Sequence, residues 1–195
     1  MTLAPEIQPY VDSVASAELP SLAAQPIEQV RDQSALFAHV GAHDAQPVDV
    51  VEDRTIPGPA GEIPVRVYDS QPASTSPVVA YFHGGGFVMM GLDTHDRVCR
   101  RLANATGAVI VSVDYRLAPE HRFPAALDDC MAVTHWLTEH AAELAGDPGR
   151  VAVAGDSAGG NLAAATALAS RNGGPRLAAQ VLVYPVIDAG CDTES

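Results

Sequence analysis

The sequence predicts an α/β protein with a mostly parallel sheet, helices on both sheet faces and a helical segment at the amino-terminal end. From residue 78 onward, apolar runs of strand length alternate with helical patterns. These runs are apolar at successive positions, so both faces of each strand are expected to be buried, as in parallel sheets. A length of 195 residues with 47% hydrophobic residues suits one such domain.

Charge and cysteine content exclude several classes of protein. The chain has 11 basic and 24 acidic residues, a formal charge of −13, which argues against nucleic-acid partners and anionic membrane surfaces. Cys99, Cys130 and Cys191 are scattered without a C-x-x-C spacing, so neither a disulfide framework nor a zinc site is indicated. We expect a reducing, cytoplasmic location, without a secretory signal or a membrane-spanning segment.

The amino-terminal third contains helical and then strand patterns. Residues 1–45 predict two short helices interrupted near Leu19-Pro20, with apolar residues at helical spacing at Val30, Leu36, Phe37 and Val40. Residues 47–69 switch to period two around the turn PGPAG and predict a hairpin. We divide the chain into a helical segment, 1–45, and an α/β core, 46–195.

The core is predicted as a regular alternation of strands and helices. Glycines mark both helix ends, with Gly107 ending the first and Gly146 near the end of the second, and Pro124 lies in the first turn of the second. The predicted strands are 78–83, 108–115, 150–155 and 178–188, and the predicted helices are 94–107, 123–146 and a third that begins at Asn161.

A serine lies at the sharpest of these strand-to-helix turns. Ser157 is flanked at −2 and +2 by Gly155 and Gly159, where close approach of strand and helix leaves no room for a Cβ atom. Such a turn lifts the hydroxyl above the carboxyl end of the strand, as in the nucleophile elbow G-x-S-x-G. On this pattern alone, a glycine-rich or phosphate-binding turn in which Ser157 only caps the helix remains the alternative.

A second glycine-rich segment follows the first core strand at residues 83–86, His-Gly-Gly-Gly. The dinucleotide motif G-x-G-x-x-G fails because Met89 stands where its last glycine belongs, and the phosphate-loop motif fails because Leu92 replaces its lysine. The remaining interpretation is the HGGG oxyanion-hole motif of lipases and esterases.

These two motifs together predict a site for acyl transfer. The backbone N–H groups of Gly85, Gly86 and Ala158 are predicted to bind the oxyanion, while Gly84 makes room for it. Asp156 and His83 are predicted to support the site, His83 by holding the glycine loop through its ring nitrogens. A role of His83 as general base is the alternative interpretation.

Three stretches resemble the hormone-sensitive-lipase family of α/β-hydrolases, in its bacterial carboxylesterase branch: HGGGFV (83–88), DYRLAPEHRFPAALDD (114–129) and GDSAGGNLA (155–163). The resemblance implies an α/β-hydrolase fold, serine-based hydrolysis of short- to medium-chain esters without cofactor or metal, and an amino-terminal cap over the acyl pocket. In that family Tyr115–Glu120 supports the active-site loops. From the residues alone, Asp114, Arg116 and Glu120 equally fit an ordinary surface ion-pair set, so no catalytic role is assigned to them.

In these hydrolases the acid and then the histidine of the catalytic triad follow the serine along the chain, and the residues after Ser157 offer no candidate for either. No histidine follows Ser157, and the later acids Asp188, Asp192 and Glu194 lie outside the family's acid motif. We therefore expect an amino-terminal portion whose last strand is an exposed edge, with the triad completed by residues outside this chain. In the longer protein to which this portion would belong, a homodimer is possible. The alternatives are an inactive truncated fragment or a non-catalytic ligand-binding relative, such as the plant gibberellin receptors. A histidine later in the full reading frame would favour the ester hydrolase over the ligand-binding relative.

Overall fold

A computed structural model describes residues 5, 8–16, 24–39, 45–171, 173–188 and 190. Val40, Leu19-Pro20, Cys191, Asp192 and Glu194 lie outside these residues. The two predicted amino-terminal helices are present as α1 and α2, and the predicted hairpin is formed by β1 and β2. The elements are α1 (Gln8–Ser16), α2 (Ile27–His39), β1 (Val50–Gly58), β2 (Gly61–Asp69), β3 (Ser76–Phe82), α3 (Leu92–Thr106), β4 (Val109–Val113), α4 (Ala125–His140), β5 (Gly146–Asp156), α5 (Ala158–Ser170) and β6 (Ala179–Val183).

The six strands form one mixed sheet in the order β1-β2-β4-β3-β5-β6. The hairpin strand β2 pairs antiparallel with β4, whereas β4, β3, β5 and β6 are parallel to one another. Val79 on β3 lies opposite Ile110 on β4 and Ala152 on β5. Because β3 and β5 are parallel neighbours, their carboxyl ends meet at the same edge of the sheet, where the two glycine-rich motifs begin.

Helices cover both faces of the sheet, as the apolar strands predict. On one face, α4 and α5 pack on the sheet through residues such as Val133, Leu137 and Leu162. On the other face, α3 packs Cys99 and Ala103 against Ile110. Burial of an aliphatic side chain of this size contributes roughly 1.5–3 kcal/mol, so these two layers stabilise the platform that carries the site. Cys99 and Cys130 are both buried and free.

Several predicted element boundaries are wrong by a few residues. The helix after the serine begins at Ala158, not at Asn161, because close packing against β3 requires glycine at 159 although glycine disfavours helix. The helix at 123–146 ends at His140 and continues as a 3₁₀ turn, Ala141–Leu144. The last strand ends at Val183, because Tyr184 takes a positive φ of 36°.

The strand β6 lies at the edge of the sheet in the order given above, and all five of its residues are exposed. The exposed apolar edge expected from the sequence is thus present, and such an edge offers unpaired backbone groups to another strand. Within the described ranges, every helix is too short or too polar to cross a bilayer.

Candidate active site

Ser157 occupies a strained turn between the last residue of β5 and the first residue of α5. Its φ and ψ are 53° and −117°, a region that non-glycine residues seldom adopt and that persists only where surrounding structure holds it. Two backbone hydrogen bonds hold it here: the Ser157 N–H donates to the Val183 carbonyl at 2.9 Å, and the Val186 N–H donates to the Ser157 carbonyl at 3.1 Å. The serine is only partly buried.

Two glycines allow α5 to approach the end of β3. A Cβ atom on Gly155 would lie 2.6 Å from the Phe82 carbonyl oxygen, and one on Gly159 would lie 2.6 Å from the His83 carbonyl oxygen. Both distances are far below van der Waals contact, and both involve backbone atoms that have little freedom to move. This spacing is the one that the sequence pattern predicts, and it brings the serine turn beside the loop that starts at His83.

That loop is a tight turn with glycine-type backbone angles. Gly85 has a φ of 119° and Gly86 a φ of 61°, and the N–H groups of Val88 and Met89 both donate to the Gly85 carbonyl at 3.1 Å. The N–H of Gly84 donates to Asp156 Oδ1 at 3.1 Å. The Gly84 N–H is therefore used to attach the loop to Asp156. The N–H groups of Gly85 and Gly86 remain as the loop's candidate donors to a ligand.

Asp156 joins the loop to the serine turn. Its Oδ1 accepts hydrogen bonds from the Tyr81 hydroxyl at 2.8 Å and from the Gly84 N–H, and it lies 3.3 Å from His95 Nε2. Burial by itself would raise the pKa of this carboxyl, but the hydrogen bonds from His95 and Tyr81 outweigh it and hold the pKa below 3.8. The carboxylate is therefore ionised at neutral pH and acts as a buried anchor one residue before Ser157.

His95 belongs to this anchor, and sequence reasoning missed it. It lies on α3 and is only 7% exposed. The signal was its place at the start of a buried stripe, His95, Cys99 and Ala103, with a spacing of four residues. A histidine on the buried face of a helix requires a polar partner, and here that partner is Asp156.

His83 is buried beneath the loop. Its Nδ1 lies 2.7 Å from the Gly84 carbonyl oxygen, and its ring stacks on Tyr115 with 4.3 Å between centroids. Burial lowers the pKa of His83 to about 4, so the ring is neutral at pH 7. Only one ring nitrogen holds the loop, because Nε2 has no hydrogen-bond partner in the part of the chain that the structure describes.

The charged residues of segment 114–120 are partly explained by ion pairs. Arg116 forms a two-pronged pair with Asp129, with a shortest N–O distance of 2.8 Å, and the Asp129 side chain is only 1% exposed. Glu120 pairs with Arg31 of α2 at 2.7 Å. The ion-pair alternative considered from the sequence is present for Arg116 and Glu120, although the Asp129 partner of Arg116 is buried and not on the surface.

No described histidine forms a hydrogen bond with Ser157. His83 and His95 are engaged with Gly84 and Asp156, while His140 lies 3.1 Å from Glu143. Among the same residues, no group of three His, Cys, Asp or Glu side chains converges as metal ligands do. The described site is thus a serine turn and a glycine loop with a buried anchor between them.

A parallel sheet whose central strands end in a serine turn and an adjacent glycine loop defines the α/β-hydrolase class of protein. A family model described as alpha/beta hydrolase fold matches residues 79–195. The chain belongs to this α/β-hydrolase family, and the resemblance to its hormone-sensitive-lipase branch is confirmed by the relatives that follow.

Named esterases are among the most similar relatives. The esterase LipI of Mycobacterium tuberculosis is 53% identical over 139 residues, covering 69% of this chain and 43% of LipI. The ethyl acetate hydrolase of Pseudomonas putida is 39% identical over 207 residues, covering 98% of this chain and 63% of that protein.

Solved structures of esterases share the fold. A hyperthermophilic esterase from the archaeon Pyrobaculum calidifontis superposes with a TM-score of 0.90 at 46% identity, covering 96% of this chain and 60% of that chain. An ester-hydrolase from the metagenome of Lake Arreo, complexed with a derivative of bipyridine phosphonate, gives a TM-score of 0.89 at 38% identity. The chain thus spans between 43% and 63% of the length of these relatives.

Proposed function

We propose that these residues form the nucleophile-bearing part of a carboxylic ester hydrolase. The observation that carries the proposal is the Asp156 anchor, which holds the Ser157 turn and the Gly84–Gly86 loop together at one edge of the sheet. In the proposed reaction Ser157 Oγ attacks the ester carbonyl carbon, and the carbonyl oxygen becomes a negatively charged tetrahedral oxygen.

Backbone donors stabilise that charge. Ala158 is the first residue of α5, so its N–H has no acceptor within the helix, and the helix dipole favours a negative charge at this end. The N–H groups of Gly85 and Gly86 complete the proposed oxyanion hole. Removal of one such donor costs about 3–4 kcal/mol of transition-state stabilisation in comparable enzymes.

The proton transfers require groups that the described site does not supply. We propose that a histidine and an acid from outside this sequence complete the triad. The histidine takes the Ser157 proton and passes it to the leaving alcohol, and the acid orients the histidine. Water, activated by the same histidine, then cleaves the acyl-enzyme and regenerates Ser157. By this proposal the 195 residues alone have little or no activity.

The substrate class proposed is a short- to medium-chain ester. The relatives named ethyl acetate hydrolase, arylesterase and acetyl esterase support it, as does the pair of short helices, α1 and α2, which fits a small cap. We propose that residues 1–45 form that cap and 46–195 the catalytic core. No cofactor is required by this chemistry, and scattered cysteines favour the cytoplasm.

The proposal is tested by replacement of the nucleophile in the complete reading frame that contains these residues. Ser157→Ala is expected to abolish nearly all turnover of p-nitrophenyl acetate. Ser70→Ala is the matched control, because it removes a hydroxyl that bonds to Ala103 and lies away from the site. Full activity in a folded Ser157→Ala variant would end the proposal. Binding of esters without turnover by the unaltered protein would support the ligand-binding relative instead.

A further inference from the structure

One guanidinium connects three separate segments of the protein. Arg31 on α2 donates from Nε to the Val88 carbonyl at 2.8 Å and from one terminal nitrogen to the Ala118 carbonyl at 2.9 Å. Both terminal nitrogens also donate to the Glu120 carboxylate, at 2.8 and 2.7 Å. Four hydrogen bonds from one side chain therefore join α2, the glycine loop and the segment after β4.

Arginine suits this position because its donors are arranged in a rigid planar fork. A lysine offers a single ammonium on a flexible stem, which cannot reach two carbonyls and both oxygens of a carboxylate in fixed directions. The hydrogen bond from Arg31 also lowers the pKa of Glu120 to about 2. The pair is therefore ionised throughout the pH range in which esterases are assayed.

The Val88 contact acts directly on the glycine loop. Val88 is one of the two residues whose N–H groups close the turn onto the Gly85 carbonyl. The neighbouring Phe87 carbonyl accepts a hydrogen bond from the Ala118 N–H at 2.9 Å, and the Ala118 carbonyl in turn binds Arg31. Arg31 thus restrains the carboxyl-terminal part of the loop at two places. It binds Val88 directly, and it binds Ala118, whose N–H holds the Phe87 carbonyl.

We propose that Arg31 is a positioning residue for the oxyanion loop, so that docking of α2 and the geometry of the Gly85 and Gly86 donors are coupled. This inference rests on the proposed esterase function. When Arg31 is lost, the peptide between Val88 and Met89 keeps the Met89 N–H bond to Gly85 but loses the partner of its carbonyl. The loop is then held less firmly, and the donors no longer point steadily at the developing oxyanion. Because those donors act most strongly in the transition state, the loss falls on kcat more than on KM.

The test compares Arg31→Gln, Arg31→Lys and the control Arg54→Gln in the complete protein. Arg54 is matched in exposure, 39% against 31% for Arg31, and it also pairs with one glutamate, but on the β1 hairpin. We expect Arg31→Gln to lower kcat about tenfold, a fraction of the 10²–10³ lost when a whole donor is removed, with KM changed less than twofold. Arg31→Lys is expected to fall in between, and Arg54→Gln to leave both constants unchanged.

Rates are expressed per active site titrated with a phosphonate ester, so that misfolded protein does not count as slow enzyme. The affinity of a trifluoromethyl ketone, which forms a tetrahedral adduct, is expected to fall in parallel with kcat. An unchanged kcat per titrated site in Arg31→Gln, or an equal loss in Arg54→Gln, would overturn the positioning role.

Amide hydrogen exchange separates this inference from the proposed function. The peptide that contains Gly85–Met89 is expected to exchange faster in Arg31→Gln than in the wild type, whether or not the protein hydrolyses esters. Faster exchange in a protein without esterase activity refutes the proposed function but keeps the coupling of α2 to the loop. Unchanged exchange refutes the coupling, even in an active esterase.

Discussion

Replacement of Asp156 by asparagine tests the anchor between the serine turn and the glycine loop. The carboxylate receives hydrogen bonds from Tyr81 and the Gly84 N–H and lies within 3.3 Å of His95 Nε2. A hydrogen bond to a charged group contributes about 1.5–3 kcal/mol, whereas a neutral one contributes about 0.5–1.5 kcal/mol. An amide oxygen keeps the geometry but loses the charge, so each of the three contacts weakens by about 1 kcal/mol.

The expected loss for Asp156→Asn is therefore about 3 kcal/mol in the free energy of unfolding, measured by urea titration at pH 7. For a domain of about 150–250 residues it corresponds to a fall in Tm of about 6–12 °C. The matched control is Asp69→Asn, because Asp69 is also buried but accepts one hydrogen bond, from the Gln71 N–H. The Asp69→Asn control is expected to lose about 1 kcal/mol in the free energy of unfolding.

The difference in the free energy of unfolding between the wild type and Asp156→Asn should depend on pH, which gives an independent check. Because the pKa of Asp156 in the folded protein lies below its ordinary value of 3.8, the ionised group stabilises the fold at pH values above 3.8. That stabilisation is lost as the pH falls through the folded pKa. The gap between wild type and Asp156→Asn should thus be constant near neutrality and narrow below pH 3.8. A loss no larger than that of Asp69→Asn, or a gap that widens in acid, would show that the Asp156 charge does not stabilise the fold.

Three further predictions concern packing, completeness and substrate range. Gly159→Ala places a Cβ atom 2.6 Å from the His83 carbonyl, and we expect a loss of about 3 kcal/mol in urea unfolding; an unchanged midpoint would contradict it. Residues 1–195 alone are expected to show at most a residual esterase rate of roughly 10³–10⁴ over water, and native-like turnover of p-nitrophenyl acetate would show that a base lies within them. The complete protein is expected to cleave tert-butyl acetate, since three glycines leave no side chain beside the scissile carbonyl, and to prefer p-nitrophenyl butyrate to a long-chain triglyceride, since a small helical cap closes the acyl pocket; strong triglyceride hydrolysis without tert-butyl acetate cleavage would contradict both.

Local patterns predicted the fold because each element has its own periodicity and its own end signals. Gly155 and Gly159 marked the close approach of strand and helix, and apolar runs marked the strands that are buried on both faces. The start of α5 was misplaced since glycine usually disfavours helix, and here a long-range steric demand outweighs that preference.

The contacts that support the site were much harder to predict. Asp156 bonds to groups 72 and 75 residues earlier in the chain, and Arg31 bonds to groups 57 to 89 residues later. Nothing in the sequence around Arg31 distinguishes it from an ordinary exposed residue of an amphipathic helix. The buried stripe of α3 indicates that His95 needs a polar partner, but it does not identify Asp156 as that partner. Arg31 has no local signature at all, so its role required the folded structure.

We propose that Ser157 is the nucleophile of an ester hydrolase, and phosphonate labelling of the complete protein is a direct test of this claim. A p-nitrophenyl phosphonate ester is expected to release one equivalent of p-nitrophenol, to stop turnover in proportion, and to leave a phosphonyl adduct on Ser157 that peptide mass spectrometry locates. Inactivation with the adduct on another residue, or continued turnover in protein labelled stoichiometrically at Ser157, would contradict the claim.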